Sequence, residues 1–275
     1  MSIAGKVVLV TGANGGIGAA IARELSMRRA SLVLTGRNAT QLDALATELR
    51  GSCSKVSVAA ADLGEPDSAR ELVERVMKTS GAIEVVVNCA GIQNFGFFSD
   101  ERPEDTERLF RVNTLAPIAL INAVLPHMIE RRAGHLVNVG SIFGSIGFPC
   151  FASYSASKFA LRGFSEALRR ELVGSGIAVT YVAPRFTKTA LNGSAATRMA
   201  NALSMHQDEP ADVARAVMTS IDRGGADSYF GWPEKLFVRI NSIFPRLVDK
   251  SLMKQVAQMR PFTVKPLRAT TSEGR

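Results

Sequence analysis

The chain has 275 residues, with 33 Lys and Arg against 25 Asp and Glu, a net charge of +8. Apolar residues make up 46% and charged residues 21%, which is too apolar for disorder and ordinary for a packed domain. No uninterrupted apolar run approaches the roughly 18 residues of a membrane span. Only four apolar residues follow Lys6 in the opening MSIAGKVVLVTG, too few for a secretory h-region. Cys53, Cys89 and Cys150 are odd in number and not in C-x-x-C spacing. They argue against a disulfide framework or a thiolate zinc site, and for a reducing cytoplasm.

In chain order, short β-branched runs predict strands at Lys6–Val10, Ser31–Thr35, Val56–Ala60, Ile83–Val87, Gly134–Val139 and Ile177–Val182. Amphipathic segments between them predict helices at Gly18–Arg29, Gln41–Arg50, Ser68–Lys78, about Pro103–Arg131 and 152–172. Continuously apolar strands are buried on both faces, and strands alternating with helices build right-handed βαβ units. The expectation is an α/β fold: a single doubly wound Rossmann-type parallel sheet flanked by helices. The catalytic domain would span 1–230 with a substrate lid at about 186–210, and a basic amphipathic C-terminal extension, 231–275, would pack on it. Ala269–Arg275 reads as frayed.

Directly after the first strand comes Thr11-Gly12-Ala13-Asn14-Gly15-Gly16-Ile17-Gly18, then a helix. Glycines there permit a tight turn and close approach to a pyrophosphate, and the helix N-terminus offers free N–H groups. The second strand ends Leu34-Thr35-Gly36-Arg37. A site preferring NAD(H) would place a carboxylate there for the ribose hydroxyls; Arg37 suits a 2′-phosphate, so the cofactor expected is NADP(H). The competing reading of Arg37 is a plain surface residue.

Ser141 follows the fifth strand, and Tyr154 and Lys158 follow at helical i, i+4 spacing. They share one helix face. A nearby ammonium and a positive nicotinamide would lower the phenol pKa and make Tyr154 an acid/base. His127, His135 and His206 show no metal spacing, so no metal is expected; His127 and His135 read as surface or capping residues.

Together, Thr11–Gly18, Asp62-Leu63, Asn88-Cys89-Ala90-Gly91, Asn113, Ser141 and Tyr154-Ser155-Ala156-Ser157-Lys158 resemble the short-chain dehydrogenase/reductase family, in order and properly spaced over about residues 5–230. The resemblance implies that Tyr154 transfers the proton, that Ser141 orients the carbonyl, and that Lys158 binds the nicotinamide ribose and depresses the Tyr154 pKa. By the same resemblance Gly12, Asn14, Gly15, Gly16, Ile17 and Gly18 hold the phosphates, and Asp62 and Leu63 flank the adenine. Asn88, Ala90 and Gly91 would line the cleft, while Pro184, Thr187 and Thr189 would meet the nicotinamide end. Pro117 has no N–H for the Asn113 carbonyl. This either frees that carbonyl for a water in the family's proton relay to the lysine, or simply kinks the helix. Three positions depart from the pattern. Arg185 replaces the usual Gly after Pro184, which puts the backbone shape in doubt or adds a charged wall to the substrate mouth. Cys89 replaces an Asn, and Gly140 replaces a frequent Ser; both read as neutral to the chemistry.

The substrate side is rich in apolar residues. Phe186, Leu191, Met199, Leu203 and Met205 lie in the lid; Ile142, Phe143, Phe148, Cys150 and Phe151 follow Ser141; Phe95, Phe97 and Phe98 follow the fourth strand. They predict a lipophilic ketone, aldehyde or alcohol substrate. The expected function is NADP(H)-dependent carbonyl/alcohol interconversion. An epimerase or dehydratase, or a non-enzymatic NADP(H) sensor or scaffold, are the alternatives, the last opposed by the intact Ser/Tyr/Lys set. Residues 231–275 hold nine Lys/Arg against three Asp/Glu, so the excess charge sits in the tail rather than in a stripe on the fold, unlike a nucleic-acid binder. The tail spacing fits a peripheral membrane-surface helix or, more commonly, a helix packed over the cleft or a subunit interface. Family resemblance also implies a homodimer or homotetramer through the helices at 103–131 and 152–173.

Overall fold

The structure, a computed structural model, describes residues 2–225 and 227–263; Ala269–Arg275, expected to fray, lies outside them. Seven parallel strands form one sheet in the order β3-β2-β1-β4-β5-β6-β7. They are β1 (Val7–Thr11), β2 (Ser31–Thr35), β3 (Lys55–Val58), β4 (Val85–Asn88), β5 (Gly134–Val139), β6 (Ile177–Ala183) and β7 (Asp227–Tyr229). β1 sits centrally, with Val8 paired to Leu32 on one side and to Val85 on the other. The order reverses between β1 and β4, which opens a crevice at their carboxyl ends.

Helices α1 (Gly16–Met27), α2 (Ala39–Leu49) and α8 (Pro210–Arg223) cover one face; α3 (Ser68–Ser80), α5 (Ala116–Arg131) and α6 (Ala152–Glu171) cover the other. The strands alternate between the two cores: Val8, Val10, Leu32 and Leu34 face the first, and Leu9, Val33 and Val86 the second. Both faces are dry, which is why the strands read as unbroken apolar runs. α4 (Pro103–Phe110) and α5 form one long helix joined by a π turn, Arg111–Leu115, in which the Ala116 N–H bonds the Arg111 carbonyl. By length and composition Pro103–Arg131 could cross a membrane, but half of its most apolar window is buried within the fold.

β7 was not predicted. It has three residues, none strongly apolar, and it is held by pairing with β6 and by the Arg169–Asp227 ion pair. Beyond β6 come α7 (Ser194–Ala202), inside the expected lid, and the helices α9 (Glu234–Ile243) and α10 (Pro245–Thr263). α10 packs on α7 and α9.

His135, read as a surface residue, lies inside β5 at 1% exposure. Its Nε2 stands 2.8 Å from the Thr180 hydroxyl. Burial first, then nearby positive charges including Lys6, push it from its ordinary 6.5 down to about 4. The folded chain thus refuses a proton that the unfolded chain accepts, so stability is retained above about pH 6.5 and drains away between there and about pH 4. We expect a loss of up to about 3 kcal/mol at the acid end. His135→Gln should lack this component when urea midpoints are compared near neutral and near acid pH.

Candidate active site

The phosphate turn is built by contact between β1 and the chain leaving β4. Gly12 adopts φ +63°, and a Cβ there would stand 2.8 Å from the Ala90 Cα, so only glycine fits. The Thr11 hydroxyl accepts the N–H groups of Cys89 and Ala90, both at 3.1 Å. α1 then begins at Gly16, with Gly15 as its N-cap and no side-chain cap. Its first N–H groups therefore remain available to an anion. Asn14 turns back to Gln41 at 2.8 Å, and its side-chain oxygen closes on Gly36.

These residues line a cleft of about 550 Å³. Gly12, Asn14, Gly15, Gly16, Ile17 and Gly18 lie along it with Arg37, Asp62, Leu63, Ala90 and Gly91. Ser141, Tyr154, Lys158, Pro184, Thr187 and Thr189 line its other end. A glycine cradle, an uncapped helix end, a guanidinium at the tip of β2 and a carboxylate beyond β3 together suit a phosphorylated dinucleotide. Burial alone would raise the Asp62 pKa. The Gly64 N–H at 2.9 Å, Arg108 at 2.8 Å and the charge of Arg37 outweigh it and hold the carboxyl below its usual range. Arg108 had no sequence signal: it is one arginine on a helix otherwise read by its apolar face.

Two expected residues do not line the cleft. Asn88 is 2% exposed and donates to the Asn138 side chain at 2.9 Å, which donates in turn to Ser165 at 2.9 Å. Its side chain turns sideways into the sheet rather than outward. Asn113 is fully buried in the π turn. Its amide oxygen accepts the Ile92 N–H at 2.9 Å, and its amide nitrogen donates to the Ile92 carbonyl at 2.8 Å and to Ser157 at 3.1 Å. It fastens the loop after β4 to α6. Ahead of Pro117 the helix takes a π turn, Arg111–Leu115, in which the Asn113 side chain acts as this clamp.

The reactive groups sit where β5 and α6 meet. Tyr154 and Lys158 are 7% and 4% exposed. The Lys158 ammonium donates to the Val139 carbonyl at 3.1 Å and lies 5.8 Å from the Tyr154 ring centroid. Burial pushes the phenol up to about 12, although a hydrogen bond with Ser141 pulls the other way. Burial also brings Lys158 down to about 8. Burial of the side chain therefore works against the expected lowering of the Tyr154 pKa, which rested on Lys158 and a bound positive nicotinamide together. Ser141 accepts the Phe143 N–H at 3.2 Å and begins a short 3₁₀ turn.

Behind Ser141 stands Tyr181, fully buried in β6, which sequence reasoning missed because it looks like any strand aromatic. Its hydroxyl donates to the Ser141 carbonyl at 3.3 Å, and it also stands 3.4 Å from the Ser141 N–H. The Tyr181 ring fills the space in which a Cβ on Gly140 would lie. Gly140 is thus a packing requirement in this chain.

Around the reactive end lie Phe143, Phe148, Phe151, Phe186 and Met199, joined by Val238 and Met259 from α9 and α10. Phe143 and Phe148 stack with centroids 4.6 Å apart. Ile142, Phe143, Phe186 and Leu191 face the cleft, whereas Phe151 and Met199 are core. Phe98, grouped with the pocket on sequence, is 64% exposed.

Arg185 is no free charged wall. Its backbone lies outside the left-handed region, so glycine's freedom is not needed there. Its guanidinium pairs with Asp208 through two nitrogens and with Glu234 at 3.1 Å. It ties the end of β6 to the far end of the lid and to α9. With Arg185 and Asp208 only 12% and 8% exposed, Arg185→Ala strands two carboxylates. We expect a loss of about 3 kcal/mol in folding stability, while Arg185→Ala with Asp208→Ala loses less, both read from urea midpoints.

Comparison with known proteins places this geometry. The family model described as short chain dehydrogenase matches residues 6–200. The chain is 31% identical over 267 residues to the bovine dehydrogenase/reductase SDR family member 7B, covering 92% of this chain and 82% of that one. Against the mouse protein of that name it is 36% identical over 195 residues, 70% of this chain but 60% of the relative, so the match leaves much of that relative uncovered. A solved short-chain dehydrogenase from Sphingobium yanoikuyae, in complex with NADPH, superposes with a TM-score of 0.77 at 28% identity, over 97% of this chain and 99% of that one. A short-chain dehydrogenase from Streptomyces avermitilis gives 0.78 at 27% identity, over 94% and 99%. The chain belongs to the short-chain dehydrogenase/reductase family and is an oxidoreductase.

Proposed function

We propose that this oxidoreductase interconverts a lipophilic ketone or aldehyde and its alcohol, with NADP(H) as cofactor. The observation that carries the reading is the convergence of Ser141, Tyr154 and Lys158 on one end of a cleft whose other end holds the glycine turn and Arg37. The bound nicotinamide would supply or accept the hydride; the chain's own residues handle binding, orientation and the proton.

In the direction of reduction, the substrate oxygen is held by the Ser141 hydroxyl and receives the Tyr154 proton as charge develops on it. Burial alone would weaken this phenol as an acid; the Ser141 hydrogen bond works the other way, as a positive nicotinamide would when bound. Lys158, anchored on the Val139 carbonyl, places a positive charge beside the phenolate that results and would hold the nicotinamide ribose. Ser141 is kept in place by Tyr181, and α6 by the Asn113 clamp, so both act as positioning residues. Gly12, Asn14, Gly15, Gly16, Ile17 and Gly18 would cradle the phosphates, Asp62 and Leu63 would flank the adenine, and Ala90 and Gly91 would line the cofactor cleft. Pro184, Thr187 and Thr189 would meet the nicotinamide end.

The preference for NADP(H) rests on Arg37, which follows β2 where Gly36 carries no side chain. The NADPH complex of the Sphingobium relative supports it by likeness. A charge-assisted hydrogen bond is worth roughly 1.5–3 kcal/mol, so Arg37→Asp should weaken NADPH binding about 10- to 100-fold while sparing NADH, measured by fluorescence titration. Equal binding of NADH and NADPH by the unaltered chain overturns the preference.

The aromatic cluster supports a lipophilic substrate. Exposed Leu115 and Phe159, at 55% and 41%, support a dimer or tetramer seam along α5 and α6. Three free cysteines suit a cytoplasmic setting. A panel of apolar and charged carbonyls, followed at the NADPH absorbance band, tests the function. Apolar carbonyls should turn over, and Tyr154→Phe should lower kcat at least about 100-fold with NADPH binding retained. Turnover of small charged carbonyls alone, or unchanged kcat in the variant, refutes the reading.

A further inference from the structure

α9 and α10 have two dissimilar faces. The inner faces cover the aromatic cluster beside Tyr154: Val238 and Met259 are buried in it and Phe262 packs against it. Arg260 stacks over Phe97, 5.0 Å from the ring centroid, and Asn241 donates to the Ser145 carbonyl at 2.9 Å. These contacts orient the pair and leave the opposite faces outward.

The outward faces carry large apolar side chains. Leu236, Phe237 and Ile243 are 40%, 48% and 67% exposed, and at 3.6 residues per turn they share one side of α9, opposite buried Val238; Phe244, capping the helix, is 60% exposed. Trp232, just ahead of α9, is 73% exposed, and on α10 Leu247 and Met253 are 60% and 70% exposed. A soluble surface tolerates scattered apolar residues, but a contiguous group marks a contact site.

The charges beside this patch have one sign. Lys235, Arg239, Arg246, Lys250 and Lys254 are exposed. Among the described residues, none of them has an ion-pair partner. Of the two acids on these helices, Glu234 is taken by Arg185, which leaves Asp249. A second copy of the same face would bring cations against cations. A nucleic acid would use the charge but not the apolar side chains. A bilayer containing anionic lipids complements both.

We propose that the outer face of α9 and α10 docks on an anionic membrane surface, with the apolar side chains inserted at the headgroup boundary and the Lys and Arg residues among the phosphates. The inner face of the same helices roofs the aromatic cluster, so docking sets the substrate pocket against the lipid. A lipophilic substrate would then pass between bilayer and pocket with little exposure to water. This delivery role rests on the lipophilic-substrate reading above; the docking does not.

The chain has a single tryptophan, Trp232, and it lies on the patch, so its emission reports insertion directly. The full chain is mixed with vesicles of phosphatidylcholine alone, and of phosphatidylcholine with phosphatidylserine, and followed by cosedimentation and Trp232 fluorescence. Binding with a blue shift is expected only on the phosphatidylserine vesicles, and weaker in high salt. Each basic residue at such a surface is worth about fivefold. The variant Arg246→Glu/Lys250→Glu/Lys254→Glu should therefore bind at least about 100-fold more weakly. Leu236→Ser/Ile243→Ser should lose the blue shift. Both should keep native circular dichroism and wild-type turnover of a water-soluble carbonyl. Absence of binding, equal binding to both vesicles, or a changed oligomeric state in these variants by light scattering overturns the proposal, the last in favour of a second copy. Vesicle binding needs no catalysis, so a chain that binds vesicles but reduces no carbonyl refutes the proposed function and not the docking.

Discussion

Ser141 and Tyr154 meet because two residues near them have no side chain. Tyr181 occupies the space beside Gly140 and reaches Gly144, while a Cβ at Gly144 would also stand 2.8 Å from the Lys158 carbonyl oxygen. Any larger residue at either position would push the strand-end turn away from α6. Close packing at this seam gives two buried phenols different tasks: Tyr154 faces the cleft, and Tyr181 supports the serine from behind. A protein interior yields little to such insertions, so the separation of the reactive groups depends on the two glycines.

The same seam explains how polar groups survive in a dry place. Asn88, Asn138 and Ser165 form one chain of hydrogen bonds, and Asn113 with Ser157 and the Ile92 backbone forms another. In a low-dielectric interior such networks are rigid and an unpaired member is expensive; the Asn88 amide oxygen has no hydrogen-bond partner among the described residues, whereas the amide oxygen and nitrogen of Asn113 are both engaged. The two networks hold β4, β5, the π turn and α6 in register around Lys158. Desolvation then acts on both reactive groups, pushing the phenol pKa up and the ammonium pKa down.

Arg185 extends this order outward. It joins the end of β6, the closing end of the lid and the first turn of α9, three segments distant in sequence. The C-terminal helices are thus coupled to the catalytic end through a buried ion cluster as well as through the aromatic residues beneath them. A surface that engages their outer face would act on elements one layer away from Tyr154.

Much of this was legible in the residues alone. β2 and β5 fall where the β-branched runs place them, because strands buried on both faces leave a local signature. That the glycine turn, Arg37, Ser141 and the Tyr154/Lys158 pair belong to one cleft was legible from residue type and short spacing. What was not legible depends on partners remote in sequence. β7 has no apolar period and exists by pairing with β6. Asn88 turns away from the cleft because Asn138 is beside it, and Phe98 turns to solvent although its neighbours Phe95 and Phe97 pack inward. Arg185 finds Asp208 and Glu234, and Gly140 is required by Tyr181. The burial that acts on the Tyr154 phenol was not legible for the same reason: a sequence shows which charge stands one helical turn away, but burial is a property of the assembled fold.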